Sequence, residues 1–135
     1  MLGDFRPAKS RALLIPSGTS ADPGKHHLFF LLTNPCPAGF HLAVSISTIK
    51  PGRANDTTCL IAAGEHPFVE ADSFVMYSTS RQLHRNGIIK CVAGRIYTPK
   101  DDCSAGLIKR VCEGVQQSAF TPRWVKKYFA DNSHR

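Results

Sequence analysis

The chain has 135 residues, of which 42% are hydrophobic and 20% are charged, as in one globular domain that buries a core of its own. Seventeen basic residues against ten acidic ones give a net charge of +7, so we expect an anionic partner, most commonly nucleic acid. No apolar segment approaches the roughly 20 residues that span a bilayer, and residues 1–7 lack the apolar region of a signal peptide. A cytoplasmic protein without a membrane anchor is therefore expected.

The region before Pro99 consists of short apolar runs separated by turns that contain Pro or Gly, which is the pattern of a β-rich chain. The predicted strands are residues 12–15, 28–32, 41–49, 58–62, 73–77 and 88–96. In the third strand, Ser45 and Ser47 are two residues apart, so they share one face of the sheet. About six strands is a common size for one sheet, so we predict a mainly β fold.

Beyond Pro99 the pattern becomes helical, because apolar residues recur at helical spacing between positions 107 and 115. Asp101 and Asp102 precede this run and suit the positive end of a helix. A second, short helix is predicted to begin at Thr121-Pro122. We expect one domain over residues 1–135, with the β part at about 11–98 and the helices at about 102–130.

The strongest functional signal is a basic cluster that leads directly into an apolar strand. Lys25, His26 and His27 follow Pro23-Gly24 and stand at the entrance of the predicted strand 28–32. Cleavage of RNA without a metal needs a base, an acid and cations that stabilise the phosphate, and these three side chains are of the right types. Because neighbours in a strand point to opposite faces, the alternative is that one of the two histidines is a plain surface residue.

Other polar residues are weaker candidates, each with a structural alternative. Ser45 and Ser47 offer hydroxyl groups to a phosphate, or are simply polar residues of a half-exposed strand. His66 lies in a predicted turn, where it would bind RNA or fix the loop. Arg81 and Arg85 belong to a segment rich in hydroxyls, which suits either a phosphate track or a solvated loop.

Four segments follow one another along the chain: a basic segment entering an apolar strand, a Ser/Thr-bearing strand, a strand ending in Tyr and a closing helix, at residues 25–33, 44–48, 73–77 and 104–115. Taken in this order, they resemble the MazF/PemK family of toxins. The resemblance covers about residues 11–117 and implies a small SH3-like β-barrel with a packed C-terminal helix and a short terminal helix. It also implies a toxin that cleaves single-stranded RNA as a metal-independent endoribonuclease, a homodimer, and a cognate antitoxin as partner.

The resemblance also implies the site residues. The family's catalytic arginine corresponds to His27 in this sequence, and its Ser or Thr hydroxyl corresponds to Ser47. Since histidine stands where the family has arginine, Lys25 or Arg81 would supply the permanent positive charge. The full assignment is a catalytic set of His27, Ser47 and Lys25, and an RNA-binding set of His26, Ser45, Arg81, Arg85 and His66.

Metal and cofactor sites are not predicted. The histidines lack the spaced ligand sets that mark zinc, and no carboxylate cluster indicates magnesium. The chain has five cysteines, an odd number, and no Cys-x-x-Cys pair among them, so they are expected to be reduced thiols.

Two other functions fit the same sequence. The first is a nucleic-acid-binding module without catalysis, in which the basic face holds RNA or DNA and the absent arginine marks a lost reaction. The second is a toxin that inhibits a protein target such as a topoisomerase, since one fold can serve several functions. In the first, replacement of His27 would change only the affinity for nucleic acid. The second would bind its protein target with little dependence on salt.

Overall fold

The computed structural model describes residues 5–17 and 24–135; Pro23, at the start of the basic cluster, lies outside them. The strands are β1 (Ala12–Pro16), β2 (His26–Leu31), β3 (Phe40–Thr48), β4 (Leu60–Ile61), β5 (Ser73–His84) and β6 (Thr98–Lys100). The helices are α1 (Arg85–Ala93), α2 (Ala105–Gln117) and α3 (Arg123–Asn132).

The six strands form one antiparallel sheet in the order β4-β5-β3-β2-β1-β6. The sheet is curled into a half-barrel, with β4 and β6 at its two edges. The prediction of a mainly β fold is confirmed. Among the described residues, no helix combines the length and the apolar character needed to cross a membrane.

Both faces of the sheet bury apolar side chains, because alternate residues of each strand point to opposite faces. We call one face the α1 face: Ile88 and Val92 of α1 pack there against Leu13, Ile15, Phe29, Leu31 and Ala43. We call the other the α2 face: Leu107, Ile108 and Val111 of α2 pack there against Leu28, Phe30, Leu42, Val44 and Ile46. Each face of the sheet therefore has a helix packed on it, α1 on one side and α2 on the other.

Helix α2 is joined to the sheet by Tyr77, a fully buried residue of β5. The Tyr77 hydroxyl donates a 2.6 Å hydrogen bond to the carbonyl oxygen of Val111. Gly114 lies beside this hydroxyl, and a Cβ atom at position 114 would be 2.0 Å from the Tyr77 Oη. The close approach of α2 to β5 therefore depends on the absence of a side chain at position 114.

The predicted strand 88–96 is wrong, because helix α1 occupies most of that segment. Its β-branched residues favour a strand by propensity. However, Ile88 and Val92 are one helical turn apart, and both are buried on the α1 face. The His84 side chain caps the helix by accepting a 3.1 Å hydrogen bond from the Asn86 N–H. Tertiary packing and this cap outweigh the local propensity.

Strand β5 is longer than the predicted strand 73–77 and includes Arg81, for which the sequence also allows a solvated loop. It pairs with β3 at both ends, but the register shifts between Ala43, which pairs with Arg81, and Ser45, which pairs with Met76. Residues 77–80 therefore stand opposite the single residue Val44. Such a bulge bends a strand and redirects its side chains. Strand β4 has only two residues, and β6 was not predicted.

Helices α2 and α3 lie within residues 105–132. The N-cap of α2 is Ser104, whose hydroxyl accepts a 3.2 Å hydrogen bond from the Leu107 N–H, so neither Asp101 nor Asp102 caps this helix. Asp102 instead forms an ion pair with Arg11, at 2.9 Å. Helix α3 buries Val125 and follows Pro122, without a side-chain cap.

Candidate functional site

His27 lies on β2, where the pairing of β1 with β2 places it opposite Ile15. The same pairing brings Ser17, just after β1, next to the His27 ring, and the Ser17 hydroxyl hydrogen-bonds the Nδ1 atom of His27. The Ser17 N–H donates a 3.0 Å hydrogen bond to the Lys25 carbonyl oxygen, which holds the two strand ends together. Ser17 therefore fixes the orientation of the His27 imidazole and leaves its Nε2 atom for other partners.

His27 and Ser47 are neighbours on the α1 face. Strand β2 pairs with β3 so that Phe29 is opposite Ser45, and continuing this register by two residues places His27 opposite Ser47. Residues directly opposite each other share a face, with Cβ atoms about 5 Å apart. The Ser47 Oγ atom is buried and has no hydrogen-bond partner among the described residues. His27 and Ser47, both assigned to catalysis from the sequence, thus lie on one face and line the same pocket.

Arg81 lies on the same face, further from the strand ends. It is opposite Ala43, and its guanidinium carbon is 4.7 Å from the centroid of the Phe29 ring. Phe29 follows His27 by two residues and therefore points to the same side of β2. A guanidinium stacked on an aromatic ring stays charged at any working pH. Arg81 therefore provides a permanent positive charge close to His27.

A pocket of about 670 Å³ opens at this end of the sheet. It is bordered by the start of β2, the end of β3, the loop after β3 and the loop between β4 and β5. Its charged lining residues are Lys25, Lys50, Arg53 and Glu70, which are three cations and one carboxylate. The three ion pairs between described side chains all lie elsewhere. The pocket is therefore cationic, and its size is that of an ordinary small-ligand site.

The electrostatic setting of His27 follows from this placement. Partial burial lowers the pKa of His27 below its usual value of 6.5, and the positive charges of Lys25, Arg81 and Lys50 lower the pKa further. A histidine with a lowered pKa is neutral near pH 7 and carries a free lone pair. The imidazole is therefore in the form that can accept a proton.

His26 and Lys25 also line the pocket, and both are exposed. The Nδ1–H of His26 donates a 2.8 Å hydrogen bond to the Gly24 carbonyl oxygen, so its Nε2 atom is the one available to a ligand. Although His26 and His27 alternate along β2, both border the pocket because it lies at the end of the strand. The strand geometry therefore allows both histidines to take part in the site.

Like Arg81, three other residues assigned from the sequence lie outside the pocket lining, namely Ser45, Arg85 and His66. Ser45 is buried on the α1 face, and its Oγ is 3.4 Å from the Thr79 Oγ1. Arg85 begins helix α1 at the opposite end of β5, roughly seven residues or about 23 Å from the level of Ser47 along the sheet. The structure therefore does not bring Arg85 together with His27.

His66, the third of these residues, is 1% exposed and has both ring nitrogens engaged. Its Nε2–H donates a 2.6 Å hydrogen bond to the Asp101 carbonyl oxygen, and its Nδ1 accepts a 3.0 Å hydrogen bond from the Phe68 N–H. Neither nitrogen is free for an RNA ligand. This geometry corresponds to the alternative in which His66 fixes its loop.

Sequence reasoning missed Ser17, Lys50 and Arg53. Ser17 depends on the register of β1 against β2, which the sequence does not define. Lys50 and Arg53 flank Pro51-Gly52 directly after the Ser47 strand, so this turn at the end of the predicted strand 41–49 was an available signal. Lys50 and Arg53 are two of the three cations that line the pocket.

No group of three His, Cys, Asp or Glu side chains within residues 5–17 and 24–135 is arranged as metal ligands would be. All five cysteines are free. Burial raises the pKa of the Cys59 and Cys112 thiols, and that of Cys103 to about 12. These three thiols are therefore protonated and unreactive near neutral pH.

Comparison with models of known protein families gives no match for this chain. Comparison with curated proteins gives no significantly similar sequence.

Proposed function

We propose that this protein is a metal-independent endoribonuclease that cleaves single-stranded RNA in the pocket beside His27. The proposal includes the SH3-like toxin architecture that the sequence resemblance implies. The observation that supports it most is the position of His27. Its imidazole is oriented by Ser17, has a lowered pKa, neighbours the Ser47 hydroxyl and borders a pocket with three cations. This combination provides a base and a binding site for phosphate.

The proposed reaction is a transfer of the phosphate to the neighbouring 2′-oxygen. The Ser17 Oγ accepts the Nδ1 proton of His27, so the lone pair lies on Nε2 and removes the proton of the substrate 2′-hydroxyl. The 2′-oxygen bonds to phosphorus as the bond from phosphorus to the 5′-oxygen breaks. His26 delivers a proton to the departing 5′-oxygen. The products are a 2′,3′-cyclic phosphate and a 5′-hydroxyl.

The negative charge that grows on the phosphate needs fixed positive charge and hydrogen-bond donors. Lys25 and Lys50 border the pocket, and the charge of Arg81 already acts on His27. Ser47 supplies a hydroxyl from the next strand. In this arrangement Arg81 takes over the electrostatic part of the arginine that the toxin family has at the position of His27, whereas His27 performs the proton transfer.

The partners included in this proposal are a second copy of the chain and an acidic antitoxin segment. Both come from the resemblance to the MazF/PemK toxins. A net charge of +7 supports an acidic partner through charge complementarity.

The test is cleavage of a long single-stranded RNA by purified protein in excess EDTA. The wild-type protein should give discrete fragments with 2′,3′-cyclic phosphate ends, and His27→Ala should give none. His134→Ala is the matched control, because His134 is exposed near the C-terminus and outside the pocket lining. Intact RNA at high wild-type concentration would contradict cleavage and favour the binding module without catalysis.

A further inference from the structure

One wall of the pocket carries an aromatic side chain that the proposed reaction does not use. Phe68 lies in the loop between β4 and β5, is 41% exposed and borders the pocket. Single exposed apolar residues are common on protein surfaces. Phe68 differs from the other exposed apolar residues of the described chain, namely Leu60, Ile96, Phe120 and Trp124, because they do not line this pocket.

The backbone of Phe68 is held by a partly buried chain of two hydrogen bonds. The Phe68 N–H donates to Nδ1 of His66, and His66 donates in turn to the Asp101 carbonyl oxygen. The His66 ring is also 5.6 Å from the Phe30 ring, centroid to centroid, in the core of the α2 face. An exposed ring on a fixed backbone loses little conformational entropy when a ligand stacks on it.

The rest of this loop is anchored at several points. Glu65 forms an ion pair with Arg110 and accepts a 2.6 Å hydrogen bond from the Ala62 N–H. The Asp72 carboxylate accepts a 3.0 Å hydrogen bond from the Ala63 N–H. Because contacts to α2 and within the loop hold it on both sides of Phe68, the backbone that carries the ring is in place before any ligand binds.

Positively charged side chains lie near the Phe68 ring and around the pocket. The Lys100 Nζ atom is 5.1 Å from the centroid of the Phe68 ring, and Lys25, Lys50 and Arg53 lie around the same pocket. A groove that combines cations for the backbone with an aromatic ring for the bases is the usual way in which proteins hold single-stranded nucleic acid. The pocket volume of about 670 Å³ is sufficient for a nucleotide-sized group.

We propose that Phe68 is a stacking platform for a nucleobase of the single-stranded RNA whose phosphate occupies the cationic pocket. This inference deepens the proposed function and rests on it for the identity of the ligand. The base adjoining the bound phosphate stacks on the Phe68 ring, and His66 and the Glu65–Arg110 pair position that ring. Phe68 thereby gives the pocket a preference for nucleotides over bare phosphodiesters.

The test compares binding of two short oligonucleotides that cannot be cleaved. One is a 2′-O-methyl RNA, which lacks the nucleophilic hydroxyl, and the other is an abasic oligonucleotide of the same length. Phe68→Ala should weaken binding of the first by about 5- to 150-fold, corresponding to the loss of one stacked base, and leave binding of the second unchanged. Phe68→Trp should retain the affinity. Phe120→Ala is the matched control, since Phe120 is 59% exposed but outside the pocket lining.

The possible outcomes distinguish the proposal of base stacking on Phe68 from the proposal of RNA cleavage. A wild-type protein that binds both oligonucleotides equally well contradicts stacking, while the EDTA assay with RNA decides cleavage independently. An equal loss for both oligonucleotides in Phe68→Ala also overturns the inference, because it would assign Phe68 a structural role. Wild-type protein that binds neither oligonucleotide contradicts both proposals. Thermal unfolding of each variant verifies that it is folded.

Discussion

His27 and His41 lie at opposite ends of the same sheet face and have different surroundings. Burial is the main cause of a lowered pKa in both residues. His41 is 0% exposed, and its Nδ1–H donates a 2.8 Å hydrogen bond to the Thr33 carbonyl oxygen. Among the described residues its Nε2 has no partner. His27 instead borders a cationic pocket and is oriented by Ser17.

The comparison shows that a perturbed pKa is not sufficient to identify a functional residue. Burial alone lowers the pKa of a histidine, and this occurs in cores as well as in active sites. What distinguishes His27 is access to a pocket and the presence of cations that no described carboxylate pairs.

The largest expected effect is the loss of RNA cleavage in His27→Ala. Removal of a general base typically lowers a rate by about 10²- to 10⁴-fold, and we expect a loss in this range. Because His27 is only partly buried, its replacement should leave the unfolding transition nearly unchanged. Single-turnover cleavage and urea unfolding of the same preparation measure the two properties. A large loss of stability in His27→Ala, with cleavage intact, would instead give His27 the structural role that we assign to His41.

His41→Ala should show the opposite behaviour. The substitution leaves a cavity in the α1 face and removes the hydrogen bond to Thr33, so the free energy of unfolding should fall by about 2–4 kcal/mol. Under conditions where the variant is folded, its cleavage rate should equal that of the wild-type protein. Urea titration followed by cleavage at low denaturant concentration tests this. If folded His41→Ala fails to cleave RNA, the functional distinction between His27 and His41 is wrong.

Arg81, within β5, and Arg85, just after its last residue, provide a milder test. Arg81→Met removes the charge near His27 and should reduce the salt dependence of RNA binding, with a decrease of about 0.7 in the slope of log Kobs against log salt concentration. Arg85→Met, at the far end of the strand, should leave the slope unchanged. Binding titrations at several salt concentrations, with RNA carrying 2′-O-methyl groups, measure both. Equal slopes for the two variants would rule out a specific role of Arg81.

The smallest expected effect is a shift in the pH dependence of cleavage. A general base works in its deprotonated form, so the rate should rise with pH through the lowered pKa of His27. Lys50 is one of the charges that lower this pKa, so Lys50→Gln should move the rise towards higher pH, that is, towards 6.5. Rates measured between about pH 4 and pH 8 reveal the direction. A shift to lower pH would contradict the electrostatic coupling.

Local signals predicted the first three strands to within two residues at each end, because each is a compact apolar run next to a turn. They failed at Ile88 and Val92, whose branched side chains favour a strand although tertiary packing selects a helix. They also missed the extension of β5 to His84, since Arg81 and Gln82 lie in a polar segment that pairs with β3 through a bulge. Non-local pairing supplies structure that the residues themselves do not specify.

The candidate site was predictable only in part, because it also depends on non-local strand pairing. Lys25 and His27 are adjacent in the sequence, and alternation predicted that Ser45 and Ser47 share a face. Whether Ser47 meets His27 depends on the register between β2 and β3, and the contact between Ser17 and His27 depends on that between β1 and β2. Neither register can be read from local composition. The roles assigned to these residues stay predictions.

The contact between Tyr77 and Gly114 has a consequence for how this sequence can vary over evolutionary time. Even alanine at position 114 would place its methyl carbon against a rigid, fully buried ring rather than against a flexible chain end. Substitution there requires a simultaneous change at position 77, whereas exposed neighbours on α2 such as Glu113 and Gln116 can drift singly. In a library of single substitutions, position 114 should therefore tolerate only glycine, and a side chain at position 114 should be accepted only together with a smaller residue at position 77.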